Sequence, residues 1–257
     1  MPLLTLVTQN NAGPTYWVGK QSNGGKFTAY WDKVGAVGHY DYGSLTMART
    51  LGSDPNQVAK NGRRVLIGWI GGGSVASQSL ARDLTLSAEY ELLQQFSPEL
   101  QMLRMPATRT SHSFDGDDAV SVARVRVAGS LQLEVVATFS WTAASLAAIG
   151  GTFGVSVLGG AANLSVVCPP SGAGCTGTVN GKGGPLMPLK QMSTTLHAIV
   201  DHTITEVIYN NRTAMVVYVK PPSATATAAA LFGVSSGMKG TIETWQLKEA
   251  NNLGPQP

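Results

Sequence analysis

Apolar and polar positions alternate along most of the chain in short segments, and turn-forming residues separate them. Early examples are Tyr16-Trp-Val-Gly19, Leu45-Thr-Met-Ala48, Arg64-Val-Leu-Ile-Gly-Trp69, Asp83-Leu-Thr-Leu86 and Glu91-Leu-Leu-Gln94. A period of two marks half-buried strands, and the intervening Gly, Asn, Asp and Pro mark turns, so the expected class is all-β. Leu93 to Leu103 departs from this: Phe96, Leu100 and Leu103 fall at helical spacing around Pro98, which predicts a short helical or irregular stretch. From Met105 to Asp118 the alternation lapses into Pro, Thr, Ser, His and Asp, the composition of a boundary between domains. A second series then predicts strands at Ala119–Val127, Leu131–Phe139, Thr152–Leu158, Asn163–Cys168, Thr194–Val200, Ile204–Tyr209, Ala214–Val219, Ala228–Val234 and Gly240–Leu247. That many short strands suits a two-sheet sandwich. Asp201-His202 and Asn210-Asn211-Arg212 stand where alternation breaks, predicting a three-strand meander over Thr194–Val219.

Composition narrows the class. Of 257 residues 43% are hydrophobic and 13% charged, with 30 glycines, which excludes disorder, coiled coil and collagen. Net charge is +3, and Arg63-Arg64 is the one basic pair, so no surface tracks a nucleic-acid backbone. The apolar start, Met1 to Val7, is too short for a signal-peptide core and lacks a positive n-region. The uncharged stretch Val135 to Gly181 is long enough to span a bilayer, with Gly150 and Gly154 in a G-x-x-x-G. Paired glycines at 150–151 and 159–160 break it, and Phe153, Val155 and Val157 alternate with small residues, so it reads as strand, turn, strand and not as a membrane span.

Candidate chemistry is sparse. Cys168 and Cys175 bracket Pro-Pro-Ser-Gly-Ala-Gly; a zinc site needs more ligands, and the alternatives are a disulfide in an oxidising compartment or two free thiols. Asn163-Leu-Ser165 and Asn211-Arg-Thr213 fit the N-glycosylation pattern. Asp115, Asp117 and Asp118 lack the spacing of a calcium loop and read as a solvated turn, and His39, His112, His197 and His202 form no i, i+4 pair. No metal and no cofactor are expected. Asp201 and Glu206 are carboxylates near one another, but alternation makes them a hairpin residue and a face-exposed residue. Trp141, Tyr209, Tyr218 and Trp245 are the aromatics available to the sandwich for stacking on sugars, and most are expected in its core.

Five runs in order carry a resemblance: Tyr16-Trp-Val-Gly19, His39-Tyr-Asp-Tyr-Gly43, Arg63-Arg-Val-Leu-Ile-Gly-Trp69, Gln78-Ser-Leu-Ala-Arg-Asp-Leu-Thr-Leu86, and Leu196 to Ala214 with Glu243-Thr-Trp-Gln-Leu247. They resemble the end of the catalytic domain and the C-terminal sandwich of family-32 glycoside hydrolases, the invertases, fructanases and levanases. The resemblance implies the remnant of a five-bladed β-propeller over residues 1–104, a two-sheet β-sandwich over 107–250 and a tail over 251–257. It also implies retaining hydrolysis by two carboxylates, with sucrose or fructan as substrate of the complete enzyme and a secreted or vacuolar location.

The family's nucleophile, stabiliser and acid/base lie in W-x-N-D-P-N-G, R-D-P and E-C motifs. Here Ser53-Asp54-Pro55-Asn56-Gln57 lacks the leading Trp and Asn and follows the D-Y-G run, as a turn before Arg63; Arg82-Asp83 continues into Leu84 instead of Pro; Val167 and Gly174 precede the cysteines. All three motifs are absent, as in an N-terminally truncated copy, and the chain alone is expected to be inactive. The resemblance places Asp41 and Tyr42 near substrate, although Ser44 stands where plant relatives carry lysine, and a turn aspartate is the favoured reading of Asp41. Trp69 either faces the funnel or packs a blade, with packing favoured. An incomplete propeller leaves an open edge, through which self-association is expected. A noncatalytic carbohydrate-binding or interaction protein is the alternative function.

Overall fold

In a computed structural model the described residues are 2–10, 13–22, 25–33, 37–51, 63–71, 77–125, 129–148, 150–171, 174–186 and 192–249. The Asp54-Pro55-Asn56 turn and the 251–257 tail lie outside them. The chain divides into two compact units, Met1–Ser97 with Asn211–Val216, and Pro98–Asn210 with Val217–Pro257.

The first unit holds two antiparallel sheets. In one, β1 (Pro2–Asn10), β2 (Gly13–Gln21) and β3 (Phe27–Ala29) lie in that order, and β4 (Val37–His39) also pairs with β2. In the other, β5 (Leu45–Leu51), β6 (Arg64–Ile70), β8 (Arg82–Leu86) and β9 (Leu92–Phe96) are adjacent in sequence order, and the two-residue β7 (Ser77–Gln78) pairs with β6. Four antiparallel strands in this up-and-down order make the form of a propeller blade. Leu45, Leu66, Ile70, Leu84, Leu92 and Phe96 form its buried side.

The second unit is the sandwich. The strands of the sandwich are β10 (Thr110–Asp115), β11 (Gln132–Ser140), β12 (Thr152–Val157), β13 (Ala162–Val167), β14 (Thr176–Val179), β15 (Lys182–Pro185), β16 (Ser193–Asp201), β17 (Ile204–Tyr209), β18 (Thr213–Tyr218), β19 (Ala230–Phe232) and β20 (Lys239–Gln246), and the first part of β18, up to Val216, is grouped with the first unit. One sheet runs β10-β20-β11-β16-β17-β18 and the other β15-β14-β13-β12-β19. They interlock through aromatic side chains, the rings of Phe139 and Phe153 being 5.2 Å apart and Trp141 and Phe153 5.0 Å apart. Tyr209 donates its hydroxyl to the Thr178 carbonyl at 2.9 Å, which satisfies the polar end of a buried ring. The meander β16-β17-β18 is present as expected, with Asn210 and Asn211 at φ 53° and 54°, the left-handed pair that a type I′ hairpin requires.

Several elements differ from expectation. Ala119–Arg124 is a helix, not the start of a strand, because Asp118 accepts from the Val120 N–H and caps it. Within the expected boundary stretch, Thr110–Asp115 is a strand paired along β20. The stretch from Leu93 is strand through Phe96, and only Pro98–Leu103 is a 3₁₀ helix, since Pro fits the first helical turn. Strands β14 and β15 and a helix at Ala143–Ala148 had no signal; in β14–β15 Gly177, Gly183 and Gly184 occupy positions where alternation would otherwise be visible. Glu206 is buried, not face-exposed, because β17 is covered on both faces from Thr205 to Tyr209. Asp201 is exposed as expected. Among the described residues no helix is long and apolar enough to cross a membrane.

Candidate functional site

The loop Tyr40–Ser44 leads into β5, and its aspartate organises it. Asp41 Oδ1 accepts from the Gly43 N–H at 2.7 Å, which turns the chain, and from the Val216 N–H at 3.1 Å. Tyr42 N donates to Ala214 O and Ser44 N to Val216 O, so the loop lies along residues 214–216 as a short added ladder. Only glycine fits at position 43, because a Cβ there would run into the Val216 carbonyl. Asp41 Oδ2 receives Arg82 Nη2 at 2.9 Å, and neither side chain has more than 1% of its surface exposed. Gln94 completes the cluster: its Nε2 donates to the carbonyls of Tyr40 at 3.0 Å and Arg212 at 2.6 Å. Burial raises the Asp41 carboxyl above the usual range, against the opposing pull of Arg82 and the Val216 and Gly43 N–H groups.

Asp83, next along β8, points to the opposite face and meets a different partner. Arg63 grips it with two bonds of 2.7 Å, and the Ser97 hydroxyl adds a third at 2.6 Å. The Arg82-Asp83 dipeptide is thus two ion pairs, one on each side of the blade. Glu91 is likewise held by Arg212 at 2.6 Å. Neither sequence motif nor spacing announced these pairs, although Arg63-Arg64 and Arg82-Asp83 were the visible charged doublets.

Tyr42 is half-buried, with its ring 5.1 Å from that of His39. Trp69, expected to pack within the blade, is 51% exposed, because it stands on the pleat opposite Leu66, Gly68 and Ile70. A groove of about 330 Å³ opens beside it, lined by Met47, Arg49, Ile67, Gly68, Ser77 and Gln78.

In the second unit, Glu134 is gripped by Arg104 through two bonds of 2.7 Å and by His197 at 2.6 Å, and Arg104 stacks 4.0 Å above the Trp245 ring. Trp141, Tyr209 and Trp245 are buried and present no ring face for stacking; Tyr218 is half-buried. Cys168 and Cys175 form a disulfide. Asn163 and Asn211 are exposed. The acidic turn is engaged locally: Asp115 pairs with Lys239 at 2.8 Å and accepts from the Asp117 N–H, while Asp118 caps the helix.

Among the solved structures similar to this chain are enzymes named for acting on fructosides. Fructan 1-exohydrolase IIa from Cichorium intybus matches with a TM-score of 0.69 at 16% identity, over 93% of this chain and 56% of that one. Sucrose-6-phosphate hydrolase from Lactobacillus gasseri matches at 0.65 and 14% identity, over 92% and 48%, and exo-inulinase from Aspergillus awamori at 0.64 and 18%, over 92% and 50%. The fold is that of family-32 glycoside hydrolases. This chain spans about half the length of the solved chains it matches. The sequence itself matches no protein-family model and no curated protein.

Proposed function

We propose that the chain supplies the end of the catalytic propeller and the C-terminal sandwich of a β-fructofuranosidase-type hydrolase, and that sucrose or fructan is cleaved only when the rest of the propeller is present. The supporting observation is the order of elements: a four-stranded blade sheet entered through His39-Tyr-Asp-Tyr-Gly43, then a sandwich, matching the fructosidase fold over more than nine-tenths of this chain.

Retaining hydrolysis needs a nucleophile and an acid about 5 to 5.5 Å apart in an accessible pocket. Asp41, Asp83 and Glu134 are each committed to an arginine instead. In this reading Tyr42 is the residue that reaches substrate, and Asp41, with its carboxylate shut off from solvent, is a positioning residue that holds the turn under Tyr42. The disulfide suits an oxidising compartment, where exposed Asn163 and Asn211 are glycan acceptors. In this reading, the chain taken without the other blades self-associates through the edge of its blade sheet.

Glucose release from sucrose by the purified chain, beside an Asp41→Ala variant, tests the reading: activity stays at the buffer background in both. Turnover that the variant loses would overturn it. Transcript sequence upstream of Met1 with in-frame W-x-N-D-P-N-G, R-D-P and E-C motifs is the complementary expected finding.

A further inference from the structure

We propose that the turn Tyr30–Lys33 is a glycan-binding site, in which the exposed indole of Trp31 takes the C–H face of an uncharged pyranose ring.

Two turns of the first unit meet there. The Lys33 N–H donates to the Tyr30 carbonyl at 3.2 Å and closes a β-turn, which leaves Trp31 at its corner with 72% of its surface exposed. The Tyr30 N–H donates to the Val18 carbonyl at 2.9 Å and ties the turn to β2. The Tyr30 ring lies 4.9 Å from that of Tyr90, in the turn between β8 and β9. Tyr90 is held at φ 65°, in the left-handed region that favours glycine. Ser87 enforces that conformation: its Oγ accepts from the Glu89 and Glu91 N–H groups at 3.2 and 3.1 Å, and its carbonyl accepts from the Tyr90 N–H at 3.1 Å. Strain held in place by so many bonds is a feature of ligand clamps, and here it braces the residue next to Trp31.

The chemistry of the two turns selects the ligand. An indole presented to solvent offers its face to the C–H groups of a sugar. Next along the chain, Asp32 and Lys33 pair at 3.4 Å with side chains 74% and 49% exposed. The carboxylate accepts from sugar hydroxyls, the ammonium donates to them, and their charges cancel, which favours an uncharged ligand. A protein partner fits less well, because interface cores are depleted of Asp, Glu and Lys, and apart from Ala88 the two turns carry no aliphatic residue. A pyranose fits better than a furanose, because its flat chair brings several C–H groups to one aromatic plane. The inference concerns pyranose binding, so it stands or falls separately from fructoside cleavage.

Titration calorimetry of the purified full chain with maltoheptaose and cellohexaose, beside inulin as the furanose comparison, tests the proposal. Saturable binding is expected for at least one of the two pyranose oligosaccharides. Trp31→Ala should weaken it at least tenfold, Trp31→Phe should retain most of it, and Asp32→Ala should weaken it several-fold, with unchanged thermal transitions because these side chains are exposed. Tyr90→Gly, which suits the left-handed turn but removes the bracing ring, should also weaken it several-fold. Absence of saturable binding to both pyranose oligosaccharides, or equal binding by Trp31→Ala, would overturn the site. Inulin binding that is tighter than either and lost in Trp31→Ala would overturn the pyranose assignment. So would a Trp31→Ala variant that binds no less glycan but turns a dimer into a monomer, which would assign Trp31 to contact between copies.

Discussion

Arg82 Nη2 lies 2.9 Å from Asp41 Oδ2, and this pair of buried charges ties β8 to the loop that enters β5. Removing one member leaves the other buried and uncompensated, which typically costs about 3–5 kcal/mol. Arg82→Met in the full chain is therefore expected to lower the first unfolding transition sharply. The double variant Asp41→Asn/Arg82→Met should recover a large part of the loss, since it buries no lone charge. Thermal denaturation of the two variants and the parent makes the comparison; equal losses would show that the pair is not coupled.

Glu134 gives the second unit an acid-sensitive anchor. Burial opposes its ionisation, but the bonds from Arg104 and His197 outweigh that and hold its carboxyl below the usual range. A carboxyl depressed on folding contributes stability above its unfolded pKa, about 4.3, and that contribution is lost as pH falls through the lower folded value. Glu134→Gln should cost on the order of 1.5–3 kcal/mol near pH 7, as for a hydrogen bond to a charged group. The difference from the parent should shrink below about pH 4, where urea denaturation across a pH series would reveal it.

The disulfide closes a short loop, its cysteines seven positions apart. The chain-entropy relation assigns such a loop about 2.5 kcal/mol. Cys168→Ser/Cys175→Ser should lower the denaturation midpoint of the sandwich by an amount of that order. The same shift should follow from adding a reductant to the parent, and no shift in either would remove the disulfide from the account of stability.

The sandwich is expected to fold by itself, because its two sheets close over a core of Phe139, Phe153, Leu164, Val179, Leu196 and Tyr209. A fragment beginning at Pro98, which keeps the Arg104–Glu134 pair, should show a cooperative thermal transition. The remaining half should be the more protease-sensitive part of the full chain, since a blade sheet without both neighbours exposes its face. Limited proteolysis that cuts the sandwich first would contradict this.

Much of the fold was legible because alternation and turn chemistry are local. The β16–β18 meander could be read from Asp201-His202 and Asn210-Asn211, which supply the left-handed conformations their hairpins need. The helix after Asp118 was missed where a cap outweighed an apolar alternation, and β14–β15 where glycines left no side chains to alternate. Alternation also states which residues share a face without stating what covers it, which is why Glu206 proved buried and Trp69 exposed.

By itself, then, the sequence determined the all-β class, the order of blade strands and sandwich, and the absence of the catalytic motifs. Only tertiary structure decided that Asp41 meets Arg82, that Asp83 meets Arg63, that the cysteines are joined, and that a bulge opens a groove beside Trp69. Ion pairing and burial depend on distances in space between residues far apart in the chain, and no local pattern encodes those distances.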